Sequence, residues 1–224
     1  MRALAAIVMA VVLSSASALA QTTTNPRTST AQDKSPAPTE ASDDHEWSFS
    51  ASAYTYIVPD SGNYAQPTFS ADRGWLHLEA RYNYEALDTG SAWVGYNFSG
   101  GDMLAWEVTP MLGGVFGDST GVAPGYIGSL SWWKLELYSE GEHVFDTGES
   151  SDSFFYNWSE LTLAPVDWFR FGLVTQRTRA YESDRDIQRG LLVGVSYKKL
   201  DVGAYFFNPD DEEPTYVISV GLTF

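Results

Sequence analysis

The last nine residues, from Tyr216 to Phe224, read YVISVGLTF, and this stretch decides the class of fold. Large apolar side chains occupy every second position, and small or polar residues fill most of the gaps. Because successive side chains of a strand point to opposite faces, this period of two predicts a strand with one apolar face. A strand that is apolar on its outer face and closes a sheet in lipid has this pattern.

The start of the sequence predicts export. Arg2 supplies a positive charge, and an apolar run follows from Ala3 to Leu13. This run is too short for a membrane-spanning helix, and Ala18-Leu19-Ala20 has the form of a signal-peptidase site. We therefore predict a signal peptide over residues 1–20 and a mature chain that begins at Gln21.

Residues 21–46 differ in composition from the rest of the chain. They are rich in Thr, Ser, Pro and Ala and contain no aromatic residue. Such a segment buries too little apolar surface to offset the entropy lost on ordering. We expect a disordered periplasmic tail, and a tether to peptidoglycan or a periplasmic partner is the functional alternative.

From Trp47 onward, aromatic residues and glycine dominate, which predicts one β-rich domain over 47–224. The formal net charge of the chain is −16, and nearly all of it lies in this domain. An acidic surface argues against nucleic acid as a partner. The chain contains no cysteine, so it holds no disulfide and no Cys-linked lipid anchor.

The connections between strand-like runs alternate between very short turns and longer, mostly acidic loops. Outer-membrane barrels have short periplasmic turns and longer outer loops, so this alternation predicts an all-β, closed, antiparallel transmembrane β-barrel. We count twelve strands; ten is the alternative if the short run 67–72 merges with 75–85 and 121–131 merges with 134–146. The twelve predicted ranges are 47–58, 67–72, 75–85, 91–99, 103–116, 121–131, 134–146, 153–164, 167–181, 186–199, 201–208 and 214–224.

Charged residues identify the face of each strand that points into the barrel, because lipid cannot easily solvate them. In 75–85, for example, Leu76 and Leu78 share one face, and His77 and Glu79 share the other. The predicted lumen-lining residues are His77, Glu79, Arg81, Glu107, Glu136, Glu140, Glu142, Arg170, Gln188 and Lys198. Arg189 is also assigned to the interior, whereas strict alternation places Arg177 and Arg179 outside, so we expect a β-bulge there or a strand that has left the membrane.

Two interpretations of the interior remain open. A twelve-stranded barrel lies between small barrels filled by side chains and large aqueous channels. The charged side chains therefore form either a structural network that supports the wall or a narrow, porin-like pore for small solutes. In the second case, the row formed by Glu136, Glu140 and Glu142 favours cations. A non-conducting binding barrel with acidic outer loops is the alternative function, and no cofactor or metal is expected.

An enzyme is not expected. Catalysis at a barrel rim needs a nucleophile and a base, and the chain has three histidines. His45 lies in the tail, His77 lies in the predicted lumen, and His143 lies on the apolar face of its strand. No nucleophile-elbow or zinc-protease motif is present, and the metal-binding alternative for the acidic loops lacks the spacing of a calcium loop.

A secreted β-sandwich with sugar-stacking aromatic residues would show the same alternation along its strands. The alternating turn lengths, the even strand count and the terminal Phe224 argue against it. A need for detergent, and a gel mobility that changes on boiling, would separate the two classes.

At the level of the whole domain, residues 47–224 resemble a small porin-like outer-membrane protein of Gram-negative bacteria. The resemblance rests on the signal peptide, the alternating connections, the outward aromatic rows and the closing strand to Phe224. It implies a monomer in the outer membrane that contacts membrane lipid, lipopolysaccharide and the barrel-insertion machinery. Twelve-stranded relatives include channels for acidic sugars lined by Arg and Lys, of which this chain has few.

Overall fold

The computed structural model describes residues 46–58, 62–148, 153–180, 186–210 and 214–224. The predicted signal peptide and all but the last residue of the predicted tail lie outside these ranges. The centres of four predicted loops also lie outside them, at 59–61, 149–152, 181–185 and 211–213.

Thirteen strands make up the described part of the chain. Their bounds are β1 Ser48–Ile57, β2 Tyr64–Arg73, β3 Leu76–Tyr82, β4 Thr89–Tyr96, β5 Phe98–Gly100, β6 Leu104–Gly117, β7 Gly121–Trp132, β8 Leu135–Asp146, β9 Phe154–Val166, β10 Phe169–Ala180, β11 Asp186–Tyr197, β12 Leu200–Phe207 and β13 Thr215–Thr223. Every pair of neighbouring strands is antiparallel, and each strand pairs with its neighbours along the chain except β4 and β5, which both pair with β6.

Two pairings close the sheet into a barrel. The first and last strands, β1 and β13, pair along their length, and Phe49 and Phe224 exchange backbone hydrogen bonds of 3.0 and 2.9 Å. On the opposite side of the ring, β4 pairs with β6. Because the ring has no free edge, the backbone groups of the wall are satisfied within the sheet, as in other closed barrels.

The short strand β5 is a continuation of β4 rather than a separate strand of the ring. Gly95 of β4 faces Met111 of β6, and Phe98 of β5 faces Val108 in the same register. The wall therefore has twelve strands, as the sequence predicts. The ten-strand alternative is wrong because β2 and β3 are separate antiparallel strands, as are β7 and β8.

The connections define two ends of the barrel. At the short-turn end, connections of two or three residues join the strands, at 74–75, 101–103, 133–134, 167–168 and 198–199. At the long-loop end, the connections have three to seven residues. Four of these short turns contain a residue with positive φ: Gly74 at 55°, Gly101 at 88°, Trp133 at 56° and Lys198 at 57°.

The outer wall is apolar and has tryptophan at one end. On β13, Tyr216 and Ile218 are exposed, whereas Val217 and Ser219 point inward and are buried. The same alternation holds on β3, where Leu78 is exposed and His77 is buried. Six of the eight tryptophans lie at or near the short-turn end: Trp47, Trp75, Trp106, Trp132, Trp133 and Trp168.

One of the two alternatives predicted at Arg177 is wrong. The sequence predicts either a β-bulge there or a strand that has left the membrane, and the continuous pairing of β10, with Asn157 on one side and Ile187 on the other, rules out the bulge. The irregularity in the β9–β10 pairing lies instead between Phe169 and Phe171, next to the short turn. Alternation therefore continues along β10, and Arg177 lies on the outer wall.

Candidate functional site: the barrel interior

The predicted lumen-lining residues divide into nine that point inward and one that does not. His77, Glu79, Arg81 and Glu142 are buried. Glu107, Glu136, Glu140, Arg170 and Gln188 occupy inward positions and are partly buried. Lys198 instead lies in the turn between β11 and β12, where it is exposed and its ammonium lies 5.4 Å from the ring of Tyr197.

Arg189 does not point into the barrel either. Leu192 of the same strand is buried in the interior, and Leu191 is exposed outside, so alternation puts Arg189 on the outer wall. Its Nη2 donates to Asp210 Oδ2 over 2.6 Å, and both side chains are exposed. The sequence assignment of Arg189 to the interior is therefore wrong. It placed the adjacent residues Gln188 and Arg189 on the same face, whereas adjacent residues of a strand point to opposite faces.

Arg81 forms an ionic contact that crosses the interior. Its Nη1 donates to Glu142 Oε2 of β8 over 2.8 Å, and its Nε donates to Glu79 on its own strand. The guanidinium also lies over the rings of Tyr84 and Trp93, at 4.2 and 4.7 Å. The arginine is thus held by two carboxylates and two aromatic faces, which together compensate for its removal from water.

A second crossing contact lies beside the first. Tyr84, which follows β3, donates its hydroxyl to Glu140 Oε1 over 2.5 Å. Tyr138 donates to the other oxygen of the same carboxylate over 2.7 Å. Glu140 and Glu142 therefore connect one side of the barrel with the other rather than line an open bore.

Aromatic side chains fill the interior on the side of β1, β9, β12 and β13. Trp158 is 2 % exposed, and its ring lies 5.5 Å from Tyr54 and 5.2 Å from Tyr205. Trp158 Nε1 and the Tyr205 hydroxyl both donate to Glu160 Oε1, over 2.8 and 2.9 Å. This cluster could not be predicted from the sequence, because apolar and polar residues do not alternate clearly along β1 and β9.

Inward glycines make room for the largest side chains. A Cβ on Gly113 would lie 2.4 Å from the indole of Trp93, and one on Gly125 would lie 3.0 Å from it. A Cβ on Gly194 would lie 2.6 Å from the guanidinium carbon of Arg170. These glycines on neighbouring strands let Trp93 and Arg170 lie flat against the inner wall.

The short-turn half of the interior is polar, and several of its charged side chains are partly exposed. Arg170 forms a two-pronged ion pair with Asp201, which also accepts from Ser196 over 2.7 Å. On the opposite wall, Asp72 contacts His77 Nδ1 and accepts from Asn97, both over 2.8 Å. We define this region, with the partly exposed Glu107 and Glu136, as the vestibule.

The outer wall carries a polar cluster as well. The amide of Asn157 donates to the Tyr126 hydroxyl over 3.0 Å and to Ser139 Oγ over 3.2 Å. Ser139 and Ser159 share a hydrogen bond of 2.9 Å. These four side chains, defined here as the outer polar cluster, face away from the interior because Tyr156 and Trp158 alternate with them on β9 and are buried inside.

The histidine considered for catalysis has an aromatic neighbour on the outer wall. The ring of His143 packs against Phe145 at 4.4 Å. Among the described residues, no group of three or more His, Asp or Glu side chains is arranged to hold a metal ion. Within the same ranges, no helix has the length and apolar character needed to cross a membrane.

Two solved porin structures have a similar fold. One is described as a KdgM porin; it superposes with a TM-score of 0.56 at 11 % sequence identity, and the match covers 79 % of this chain and 98 % of that chain. The other is described as a KdgM porin in complex with disordered oligogalacturonate, with a TM-score of 0.55, 10 % identity and the same coverages. The chain is therefore a closed, porin-like β-barrel.

No family model matches the sequence. No curated protein matches it either.

Proposed function

We propose that the protein is a porin-like channel of the bacterial outer membrane that passes small solutes and prefers cations. The observation that carries this proposal is a closed twelve-stranded wall that is apolar outside and charged inside, with the fold of the KdgM porins. An apolar exterior on a closed barrel suits hydrocarbon, because a closed wall pairs its backbone groups between neighbouring strands and leaves no free edge.

The arrangement of the outer wall supports the membrane assignment. Tryptophans at the short-turn end would form the aromatic girdle of the periplasmic interface. The closing strand to Phe224 fits recognition by the barrel-insertion machinery, and a predicted signal peptide would deliver the chain to it. The apolar wall would contact membrane lipid and lipopolysaccharide, and a single copy already forms a complete barrel, which fits a monomer.

Charges inside the barrel favour cations over anions. Carboxylates outnumber cationic side chains at inward positions of the described residues, where the cationic groups are Arg81, Arg170 and His77. The inward carboxylates include Asp72, Glu79, Glu107, Glu136, Glu140, Glu142, Glu160 and Asp201. Carboxylates in a low-dielectric wall raise the local cation concentration, which favours cation entry.

The same charges argue against acidic sugars as the solute. One of the similar porins was solved with oligogalacturonate, an acidic sugar polymer. A chain of carboxylates entering this interior would meet an excess of like charge, and the two interior arginines are already paired with carboxylates. We therefore expect neutral or cationic small solutes.

Reversal potential in planar bilayers tests the proposal. The purified protein is inserted under a KCl gradient, and the sign of the potential at zero current reports the preferred ion. Cation preference that oligogalacturonate does not block is the expected result. Conductance with anion preference, or block by oligogalacturonate, would contradict the proposed selectivity while leaving a channel in place.

A non-conducting barrel is the second candidate, and the crossing contacts favour it. Arg81–Glu142 and Tyr54–Trp158 both join non-adjacent strands across the interior. Absence of conductance in the wild type would support this structural or binding role.

Shortening one side chain separates the two candidates. Trp158→Ala removes the ring at the centre of the aromatic cluster, and Trp168→Ala is the control because Trp168 is 60 % exposed in a short turn. For a narrow channel, we expect Trp158→Ala to increase single-channel conductance and Trp168→Ala to leave it unchanged. A silent wild type and a silent Trp158→Ala variant would rule out the channel.

A further inference from the structure

Two arginines share the outer wall near the long-loop end. Arg177 of β10 pairs with Ile187, and Arg189 of β11 pairs with Thr175, so the two arginines occupy diagonal positions of one antiparallel pair. Diagonal residues on one face lie about 7–8 Å apart, within reach of long side chains. The two guanidinium groups are therefore able to contact a single ligand outside the barrel.

The surroundings of Arg177 leave hydrogen-bonding capacity unused. Its guanidinium lies 5.6 Å from the ring of Phe155 on the neighbouring strand. Its Nε is buried and has no hydrogen-bond partner within the described ranges. Arg189, with 72 % of its side chain exposed, contacts Asp210 in the loop after β12. The Nε of Arg177 thus lacks a partner among the described residues, and Arg189 is held by an exposed carboxylate.

The position of the two arginines along the barrel axis indicates which part of the membrane they contact. Arg177 lies eight residues beyond Phe169, where β10 begins, and Arg189 lies eight residues before Tyr197, where β11 ends. At about 3.3 Å per residue and a strand tilt of about 40°, both lie roughly 20 Å from the short-turn end. The apolar band of such barrels is about 25 Å tall, so both arginines lie near its outer edge.

Polar side chains continue from the arginines down the wall. Asn157 pairs with Arg177 on the side opposite β11, and it is the centre of the outer polar cluster with Tyr126, Ser139 and Ser159. Amide and hydroxyl groups on a wall that faces hydrocarbon suit a lipid whose own polar groups reach into the bilayer. A phosphorylated glycolipid has both phosphate and such amide and hydroxyl groups.

We propose that Arg177 and Arg189 bind a phosphate group of outer-leaflet lipopolysaccharide, with the outer polar cluster in contact with its sugar and amide groups. Guanidinium groups match phosphate geometry and form charge-assisted hydrogen bonds with it. The proposal rests on the membrane assignment made above, but it does not require that the barrel conducts. Asp210 competes with the phosphate for Arg189.

Binding of lipopolysaccharide to the detergent-solubilised protein tests the site. The dissociation constant of fluorescently labelled lipopolysaccharide is measured for the wild type and for the double variant Arg177→Gln/Arg189→Gln. Arg73→Gln is the matched control, since Arg73 is an exposed arginine at the opposite end of the wall. We expect at least a tenfold weaker affinity for the double variant and less than a twofold change for Arg73→Gln.

Two further arms identify the chemistry. Dephosphorylated lipopolysaccharide should bind the wild type and the double variant alike, and Asp210→Asn should tighten binding of the intact lipid because Arg189 is released. Equal affinities of the wild type and the double variant for the intact lipid would overturn the proposal. An equal loss of affinity in Arg73→Gln would do the same. So would chemical cross-linking of a dimer whose interface covers Asn157.

Folding and conduction are measured on the same samples. If the double variant does not show the boiling-dependent gel shift of the wild type, Arg189→Gln alone is tested, with at least a threefold loss expected. Bilayer conductance of the variants should match the wild type. If the protein binds lipopolysaccharide but does not conduct ions, the channel is refuted and the lipid site stands. If it conducts ions but the double variant binds the lipid as the wild type does, the lipid site is refuted and the channel stands.

Discussion

Arg81 of β3 and Glu142 of β8 meet across the barrel interior, with 2.8 Å between Nη1 and Oε2. Four steps around the ring separate their strands, and both side chains are almost fully buried. The contact therefore ties two non-adjacent parts of the wall together across the interior. Its effect on stability and on passage through the interior is the first point to test.

Removing the arginine should destabilise the barrel strongly. Arg81→Met leaves Glu79 and Glu142 as buried carboxylates without their partner, which costs about 3–5 kcal/mol of unfolding free energy. Urea unfolding in detergent, followed by tryptophan fluorescence, measures the loss. Arg189→Met, which breaks the exposed pair with Asp210, should leave the unfolding midpoint unchanged. Equal midpoints for both variants would show that the crossing pair contributes nothing.

Adjacent glycines on β6 should respond differently to one added methyl group. In Gly113→Ala, the new Cβ would lie 2.4 Å from the Trp93 indole, whereas a Cβ on Gly114 has no atom within 4 Å. We expect Gly113→Ala to lose about 1–3 kcal/mol through overpacking. Gly114→Ala should be neutral or slightly stabilising. The temperature at which the folded gel band disappears compares the two, and a larger loss in Gly114→Ala would contradict the inward position of Trp93.

Charge in the vestibule should set ion selectivity. Glu107→Gln/Glu136→Gln removes two partly exposed carboxylates that have no hydrogen bond to an interior arginine. We expect the cation preference to fall, because fewer fixed charges focus the field at the entrance. The measurement is the reversal potential under a salt gradient. Asp118→Asn, an exposed loop variant at the other end, should shift the potential less, and a larger shift there would place the selective region in the outer loops.

The pKa of Asp210 should depend on its ion pair with Arg189 on the outer wall. The hydrogen bond from Arg189 lowers the pKa of Asp210 below its usual value, which is about 3.9. A lowered folded-state pKa means that the pair is present above pH 4 and is lost as the pH falls through the lowered value. In Arg189→Gln, the pKa of Asp210 should return toward the ordinary value. Carboxyl carbon shifts from NMR titration measure this, and an unchanged pKa would contradict the contact.

The local alternation of apolar and polar residues was sufficient to predict which residues of most strands face inward and which face outward. Alternation placed Leu76, Leu78, Leu135 and Leu191 on one face and His77, Glu79 and Glu136 on the other, and the structure has the same assignment. The short turns also fell where predicted, because turn composition is a local property. Errors arose where this local signal was weak or misread, at Arg189, at Lys198 in its turn and at the expected bulge near Arg177.

The chain's period of two and its alternating turn lengths were enough to predict a closed antiparallel barrel, with twelve strands favoured over ten, since both features depend on neighbours in sequence. The contacts between inward side chains could not be predicted in this way, because they depend on the folded ring. Arg81 and Glu142 lie 61 positions apart, and they come together because ring closure and strand register bring non-adjacent strands face to face. The same closure packs Tyr54 against Trp158. The register of the β10–β11 pair brings Arg177 and Arg189 to one spot on the outer wall.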